Sequence, residues 1–333
     1  MGCRETRCCY TAAITFAPSG QRPCGGGVTM QQVTVRVPAS TSNLGPGYDC
    51  LGVSLRLHNS ITVVRDNAPR SSHPRIVSDA AERFFRQARR HKFSFSCSIA
   101  EQVPRCRGLG SSATVRLGVL FGLNRLSGDP LDRVTLFRLC AESEGHADNA
   151  APASFGGFTV VQSSGGTSLA RDKQHACATV QRFDVASRLL FVLLIPDLEI
   201  QTARARGILP SKISRAAAVE NCANACAITS AFVSRDYEKM RGAFSDNLHQ
   251  PFRAKLIHFL PRVIVAAERA GALGAFLSGS GSTIAAVTLE APKKIATAMA
   301  RAAAAPAHTI ITHADNRGAQ VLPVRHPRSA IHD

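Results

Sequence analysis

A glycine-rich loop leads directly into the most regular predicted helix of this chain. The loop is Pro104–Ala113 (PRCRGLGSSA), and apolar residues at helical spacing predict a helix over Ser111–Leu126. The first turn of a helix has backbone N–H groups without partners and carries the positive end of the helix dipole, so the loop suits an anion such as phosphate. Gly108 and Gly110 lack side chains and would let the anion approach closely. The alternative is a purely structural turn in which a serine of the loop caps the helix.

Alternation of apolar and polar residues predicts that the chain opens with an antiparallel sheet. Val33–Pro38 and Leu51–Val64 alternate as half-buried strands do. The pattern further predicts helices over Asp79–Arg90, Ala216–Val233, Leu260–Ala270 and Lys293–Ala305, and strands over Phe93–Ile99, Arg188–Pro196 and the two ends of Ala275–Leu289. A chain of 333 residues exceeds the usual size of one domain, and we predict a boundary near residue 185.

Hydrophobicity restricts the class of protein. Hydrophobic residues make up 45% of the chain and charged residues 19%, which favours a buried core over a disordered or fibrous chain. The longest apolar run, Leu189–Ile195, is far shorter than the ~20 residues that cross a bilayer. We therefore expect a soluble, cytoplasmic protein without a membrane partner.

The net charge of +17 has two interpretations. It could attract anions, including nucleic acid. However, 33 of the 40 basic residues are arginine and they are scattered along the chain, as a codon bias would produce. Clustering, rather than total charge, marks a nucleic-acid surface, so we expect no nucleic-acid partner.

Residues 1–29 differ from the rest of the chain. They carry four of the 11 cysteines, a Gly25–Gly27 tract and no periodic pattern, and they lack the long apolar segment of a secretory signal. We expect a flexible extension or a start assigned too early, with Met30 as the initiator. The odd number of cysteines and the absence of C-x-x-C indicate a reducing compartment and no cysteine metal site.

Four segments in a fixed order carry a family resemblance. They are Pro38–Gly52 (PASTSNLGPGYDCLG), the glycine-rich loop, Glu144–Val161 (EGHADNAAPASFGGFTVV) and Gly274–Thr283 (GAFLSGSGST). Together they resemble the GHMP family of small-molecule kinases. STSNLGPGYDCLG, HADNAAPASFGGF and TARARGILP (Thr202–Pro210) are similar to the homoserine kinase branch in particular, and the resemblance covers about residues 33–325.

The resemblance implies a fold and an activity. The fold is a two-domain α/β (α+β) GHMP kinase fold, with an N-terminal ATP-binding domain over 30–185 like domain 2 of ribosomal protein S5 and a C-terminal α/β sandwich over 186–333. The activity is ATP-dependent phosphorylation of the L-homoserine hydroxyl to O-phospho-L-homoserine, the precursor of threonine. The family also implies a homodimer.

For ATP and Mg²⁺, the resemblance assigns the glycine-rich loop and two oxygen ligands. Ser112 and Glu144 would bind Mg²⁺, with Glu142 as the competing carboxylate. The positive charge of Arg107 would help to neutralise the phosphates, unless Arg107 is a solvated surface residue. The residues implied in ATP binding are Pro104, Arg107, Gly108, Leu109, Gly110, Ser111, Ser112 and Ala113.

For homoserine, the resemblance supplies a partner for each polar group. Asp49 would bind the α-ammonium, and the guanidinium groups of Arg206 and Arg253 would bind the α-carboxylate. Each of these could instead be an ordinary turn or surface residue. The implied substrate-binding residues are Asn43, Asp49, His146, Asn149, Thr202, Arg206, Arg253 and Gly279.

The general base is left open. The implied catalytic residues are Asp148, Asn149 and Arg206, and Asp148 is the only carboxylate of the HADN segment that could accept the hydroxyl proton. Asn149 is expected to face the substrate and cannot accept a proton. Our hypothesis is transfer without an enzymic base, which a loose transition state permits.

The chain departs from the family pattern at two positions. Ser282 and Ala147 stand where proline is common.

Two other functions compete with the phosphorylation of homoserine. One competing function is another GHMP kinase, such as one acting on mevalonate. The other is a non-catalytic nucleic-acid-binding protein with the S5-like fold, against which the low aromatic content of 6% argues.

Overall fold

A computed structural model describes residues 31–66, 72–162 and 179–323. The predicted extension or early start over residues 1–29 lies outside them. The strands are β1 (Gln32–Asn43), β2 (Gly47–Arg65), β3 (Phe95–Ala100), β4 (Phe158–Gln162), β5 (Thr179–Phe183), β6 (Leu190–Pro196), β7 (Gly274–Leu277), β8 (Ile284–Thr288), β9 (Ala307–His313) and β10 (Gln320–Val321). The helices are α1 (Arg75–Ala88), α2 (Ser111–Leu126), α3 (Arg133–Glu144), α4 (Ala150–Phe155), α5 (Thr202–Gly207), α6 (Arg215–Ser234), α7 (Gln250–Arg253), α8 (Leu260–Arg269) and α9 (Pro292–Ala303), with a 3₁₀ turn over Tyr237–Met240.

The first sheet is antiparallel and has the order β10-β1-β2-β4-β5, with β3 also paired to β2. Strand β2 is long enough to pair with β4 through Leu51–Val53 and with β3 through Ser60–Arg65. The alternation in β1 buries Val33, Val35 and Val37, as the period of two requires. The predicted antiparallel opening sheet is confirmed.

Helix α2 packs directly on this first sheet. Gly118 lies against Ile61 of β2, and Gly122 lies against Val63. A Cβ atom on Gly122 would come within 2.6 Å of the Val63 side chain. The two glycines allow a close approach, and most of the remaining side chains of α2 are buried. The close packing fixes the position of the N-terminus of α2 relative to β1.

The second sheet is also antiparallel, with the order β7-β8-β6-β9. One face is covered by α8 and α9, through buried residues that include Val263 and Ile295. The other face shares a hydrophobic core with the first sheet and α6. In that core Phe232 of α6 stacks on Phe158 of β4, with ring centroids 4.1 Å apart.

The chain crosses from the second sheet back to the first near its end. Strand β10 pairs antiparallel with β1 through Val35–Val321 and Arg36–Gln320. The second half of the chain therefore contributes to both sheets, and the boundary near residue 185 stays a prediction. Within the described residues, no helix is long and apolar enough to span a membrane.

Candidate active site

A cavity of about 390 Å³ lies where the glycine-rich loop meets both sheets. This volume is within the range of small-molecule sites. Most of the predicted site residues line it, although Pro104 does not, and Ala113 is fully buried inside α2. The predicted residues that line the cavity are Asn43, Asp49, Arg107, Gly108, Leu109, Gly110, Ser111, Ser112, Glu144, His146, Asp148, Asn149, Thr202, Arg206, Arg253 and Gly279.

Four consecutive carbonyl groups attach the glycine-rich loop to the rest of the protein. The oxygen atoms of residues 106, 107 and 108 accept hydrogen bonds from residues beside the second sheet, namely Ile200 N at 3.2 Å, Thr283 N at 3.1 Å and Ser278 Oγ at 2.7 Å. The oxygen of residue 109 accepts from Ser40 N of β1 at 3.1 Å. The loop is therefore held by both sheets.

The backbone of the loop favours binding of an anion. Residues 106, 108 and 110 have φ between +53° and +72°, and alternation of left-handed residues makes successive N–H groups converge. Gly110 precedes α2, and no side chain caps the helix. The alternative that Ser111 or Ser112 caps α2 is therefore wrong, and the first turn of the helix, which no side chain caps, lines the cavity.

Gly108 and Gly110 are required by space as well as by backbone conformation. A Cβ atom on Gly108 would collide with the carbonyl oxygen of Ser278 and lie 2.9 Å from the backbone nitrogen of Gly281. A Cβ on Gly110 would collide with Ser40 Oγ. The loop fits between the sheets only without these side chains.

The two predicted Mg²⁺ ligands, Ser112 and Glu144, contact each other at the start of α2. Ser112 Oγ donates to Glu144 Oε2 at 2.7 Å, and Arg116 Nε donates to Glu144 Oε1 at 2.6 Å. Glu142 does not line the cavity; its side chain is 63% exposed and pairs with Arg83. Of the two competing carboxylates, only Glu144 is positioned to reach a ligand in the cavity.

The chemistry at Ser112 and Glu144 fits Mg²⁺. The described residues contain no group of three or more His, Cys, Asp or Glu side chains that could hold a metal. Mg²⁺ commonly needs only one or two protein oxygen ligands, because water and substrate phosphates supply the others. A hydroxyl and a carboxylate beside an anion cradle meet this requirement.

Arg107 forms ion pairs with acidic residues and is largely shielded from solvent. Its guanidinium lies 3.1 Å from Asp197 and 3.3 Å from Glu199, and Nε donates to the carbonyl oxygen of Pro196 at 3.0 Å. The interpretation of Arg107 as a solvated surface residue is wrong, because its side chain is only 12% exposed.

Asp49 and Arg206 bind each other. Arg206 donates from both Nη atoms to the two Asp49 oxygens, at 2.7 and 2.9 Å, and Nη1 also donates to Tyr48 Oη at 3.0 Å. The pKa of Arg206 is raised, chiefly by the hydrogen bond to Asp49. The residues predicted to bind the ammonium and the carboxylate of one ligand thus neutralise each other across the cavity.

Arg253 lies beside this pair and is almost fully buried. Its Nε donates to Ala205 O at 3.1 Å, and Nη1 donates to Gly279 O at 2.8 Å. Gly279 O also accepts from Asn43 Nδ2 at 3.1 Å. The Tyr48 ring lies 5.4 Å from the Arg253 guanidinium and 5.5 Å from that of Arg206, so one aromatic ring contacts both cations.

The HADN segment forms a tight polar cluster. His146 Nδ1 lies 2.7 Å from Asp148 Oδ1. Asn149 accepts from Ser40 Oγ at 2.9 Å and donates to Ser42 Oγ at 3.0 Å. Burial raises the pKa of Asp148, but the hydrogen bonds from His146 and Ser42, together with nearby positive charge, outweigh it and hold that pKa below its usual value. Asp148 is therefore ionised and a weak proton acceptor.

Other cavity residues were not predicted from the sequence. The apolar end is lined by Pro74 and Ile76 at the start of α1, Ile99 of β3 and Val115 of α2. From the sequence alone, a single apolar residue at the end of a helix cannot be distinguished from a residue of the hydrophobic core. Tyr48 had a usable signal, because it directly precedes Asp49.

Comparison with known proteins assigns the family. Residues 75–157 match the GHMP kinases N terminal domain, and residues 228–305 match the GHMP kinases C terminal domain. The chain is 37% identical to a homoserine kinase of Synechococcus over 77% of this chain and 86% of that protein. It is 35% identical to a homoserine kinase of Moorella thermoacetica over 80% of this chain and 91% of that protein.

The chain belongs to the homoserine kinase family.

Solved structures confirm the GHMP kinase fold of this homoserine kinase family member. A homoserine kinase from Cytophaga hutchinsonii superposes with a TM-score of 0.79 at 24% identity, covering 90% of this chain and all of that one. A mevalonate kinase superposes with a TM-score of 0.63 at 14% identity, covering 85% of this chain and 99% of that one. The predicted two-domain α/β fold class is confirmed, and membership of the family implies use of ATP.

One buried histidine should make this family member less stable in acid. Burial lowers the pKa of His249 to about 4, from the 6.5 of an exposed histidine. Between these values the unfolded chain binds a proton that the folded chain does not, so the free energy of unfolding falls as the pH falls. The loss from pH 6.5 to pH 4 is about 3 kcal/mol. Urea denaturation across this range measures it, with His249→Gln as the comparison; equal pH slopes would contradict the assignment.

Proposed function

We propose that this chain transfers the γ-phosphoryl group of ATP to the side-chain hydroxyl of L-homoserine, forming O-phospho-L-homoserine. The observation that carries the proposal is the shared cavity. An uncapped helix N-terminus with a converging backbone loop lies beside Asp49, Arg206 and Arg253. The family relatives, named homoserine kinases, support the same substrate.

The proposed nucleotide site uses the backbone of the loop. The N–H groups of residues 108–112 would bind the phosphates, and Ser112 Oγ with the Glu144 carboxylate would hold Mg²⁺. When bound, Mg²⁺ neutralises charge on the phosphate oxygens. Glu144 must then share its carboxylate with Arg116, which it already contacts at 2.6 Å. The apolar end of the cavity offers Ile76, Ile99 and Val115 to the base of the nucleotide.

The proposed amino-acid site exchanges an internal ion pair for two ligand pairs. Asp49 and Arg206 are each 35% exposed and neutralise each other without ligand. A zwitterion brings one charge of each sign, so its ammonium can bind Asp49 while its carboxylate binds Arg206 and Arg253. No charge is left without a partner. Mevalonate has a carboxylate but no ammonium, so it offers no partner that could replace Arg206 at Asp49.

The proposed transfer depends on positioning rather than on a strong base. The buried Asp148 carboxylate already accepts from His146, and its lowered pKa makes it a weak acceptor. Asn149 and His146 would orient the hydroxyl, and the proton would leave after the new bond to phosphorus is largely formed. The loop N–H groups would stabilise charge on the transferring phosphoryl group.

Replacement of Asp148 tests whether a base is used. We expect Asp148→Asn to lower kcat by no more than about tenfold, because transfer without an enzymic base needs only a polar group at this position. Asn149→Ala, which removes the contacts to Ser40 and Ser42, is the comparison. Steady-state kinetics with homoserine measure both. An Asp148→Asn variant that binds homoserine normally but does not turn over would contradict transfer without a base.

A substrate panel tests the proposed function as a whole. Coupled ADP release is measured with Mg²⁺, ATP and, in separate reactions, homoserine, serine, threonine or mevalonate. We expect homoserine to give the highest kcat/KM by at least about tenfold, since it alone has the proposed spacing of charges and hydroxyl. Strong activity with mevalonate, or none with homoserine, would overturn the proposal. Light scattering tests the homodimer that the family resemblance implies. Salt-dependent retention on nucleic acid tests the competing function, a non-catalytic nucleic-acid-binding protein.

A further inference from the structure

A fully buried histidine lies next to Arg253 and outside the sequence segments that carry the family resemblance. His249 immediately precedes α7 and is 0% exposed. Its backbone oxygen accepts from Arg253 N at 2.9 Å, so the two residues lie one helical turn apart. Its side-chain Nδ1 is 3.3 Å from Arg253 Nη1. The imidazole thus contacts a guanidinium that lines the cavity.

The surroundings of the ring determine its tautomer. Nε2 is 2.9 Å from the carbonyl oxygen of Gly45, which can only accept a hydrogen bond, so Nε2 carries the proton. In the neutral ring Nδ1 then has a lone pair for Arg253. The charged or titratable groups facing the ring are Asp246, whose Oδ2 lies 3.4 Å from Nε2, and Arg253, Asp49 and Tyr48.

Asp246 is committed to the backbone. Its Oδ2 accepts from the N–H groups of residues 249 and 250, at 3.1 and 2.6 Å, and its Oδ1 accepts from residue 248 at 2.7 Å. These bonds fix the turn that carries the histidine. Asp246 therefore holds the backbone of His249 in place, while the ring bridges Gly45 to Arg253.

The contacts of Arg253 leave one edge of its guanidinium for a ligand. Nε donates to Ala205 and Nη1 donates to Gly279 and His249. Nη2 makes no hydrogen bond within the described part of the chain, and the residue lines the cavity. With its other nitrogen atoms fixed, the guanidinium has one orientation in which Nη2 is available.

We propose that His249 is a positioning residue whose neutral Nδ1 accepts from Arg253 and orients its guanidinium toward the carboxylate of the bound amino acid. This inference rests on the proposed role of Arg253 in homoserine binding. A ring without a lone pair at Nδ1 would remove one of the contacts that hold the guanidinium in the orientation where Nη2 is available. Protonation would also place a second positive charge beside the guanidinium.

Two amide substitutions separate positioning from a structural role. Asn places an amide oxygen near the position of Nδ1, so His249→Asn keeps the acceptor for Arg253 and loses the bond to Gly45. Gln reaches the position of Nε2, so His249→Gln keeps the bond to Gly45 and loses the acceptor. We expect His249→Gln to raise KM for homoserine about tenfold, as loss of a hydrogen bond to a charged group does, with kcat and KM for ATP within about twofold. We expect His249→Asn to stay within about threefold for KM of homoserine.

Other outcomes of these measurements would overturn the proposed role of His249. A purely structural histidine would make both variants fail alike, in melting temperature and in all kinetic constants, and this result would overturn the proposal. Equal KM for homoserine in His249→Gln and the unmodified protein would also overturn it. Nitrogen-15 NMR of the histidine ring in the unmodified protein is an independent readout: we expect Nδ1 without a proton at pH 7, and a protonated Nδ1 contradicts the proposal. The NMR result stands even if homoserine is not the substrate, so the two failures are distinguishable.

Discussion

Replacing Gly108 with alanine is expected to lower the free energy of unfolding more than any other single methyl addition in the loop. The residue has φ +72°, which costs a non-glycine residue about 1–2 kcal/mol. The new Cβ would also collide with the backbone oxygen of Ser278 and approach Gly281 N to 2.9 Å, and backbone atoms cannot rotate away as side chains can. Overpacking of this kind adds about 3 kcal/mol. Urea unfolding and ATP-dependent turnover should both show the loss.

Gly128→Ala is the matched control for this substitution. Gly128 has φ +81°, and a Cβ there would have nothing within 4 Å. The control has the same conformational strain without the collision, so the difference between the two variants isolates the steric part. If Gly108→Ala and Gly128→Ala are destabilised equally, the loop does not need the close approach to Ser278.

Replacing Glu144 with glutamine is expected to lower kcat/KM with ATP and homoserine by about a thousandfold, or ~4 kcal/mol. Gln keeps the shape of the side chain but removes the charge that would bind Mg²⁺, and it also leaves Arg116 without its acidic partner. The concentration of Mg²⁺ needed for half-maximal activity should rise as well. Kinetics over a range of Mg²⁺ concentrations measure both effects.

Glu142→Gln is the control within the same helix. Its side chain is 63% exposed and contacts Arg83 at 3.5 Å, outside the cavity. Exposed ion pairs of this kind contribute little, so we expect kcat/KM to change by less than about twofold. A large loss in Glu142→Gln with normal activity in Glu144→Gln would show that the metal ligand has been assigned to the wrong carboxylate.

Elements with a long, regular pattern were predictable from the sequence. The helix over Ser111–Leu126 has the bounds that the apolar spacing predicts, and the alternation around Val33–Pro38 lies within β1. The helix predicted over Asp79–Arg90 begins earlier, at Arg75, because Pro74 can precede a helix and the pattern there is weak. The short helices α5 and α7, with six and four residues, are too brief to show a period.

The partners of charged side chains were not predictable. The sequence indicates that Asp49 and Arg206 belong to a binding site, yet residues 157 positions apart meet only through the tertiary fold. The same holds for Arg107, whose acidic partners Asp197 and Glu199 follow the first strand of the second sheet. His249 gave no signal, because nothing in its local sequence distinguishes a buried histidine from an exposed one.

The attachment of the glycine-rich loop limits how substrates can reach the cavity. Its bonds to Ile200, Ser278 and Thr283 attach the loop, which continues into α2 on the first sheet, to the second sheet, and breaking these three would cost about 3 kcal/mol. Opening by a hinge between the sheets is therefore costly. We therefore expect nucleotide and amino acid to enter and leave the cavity without a large separation of the two sheets.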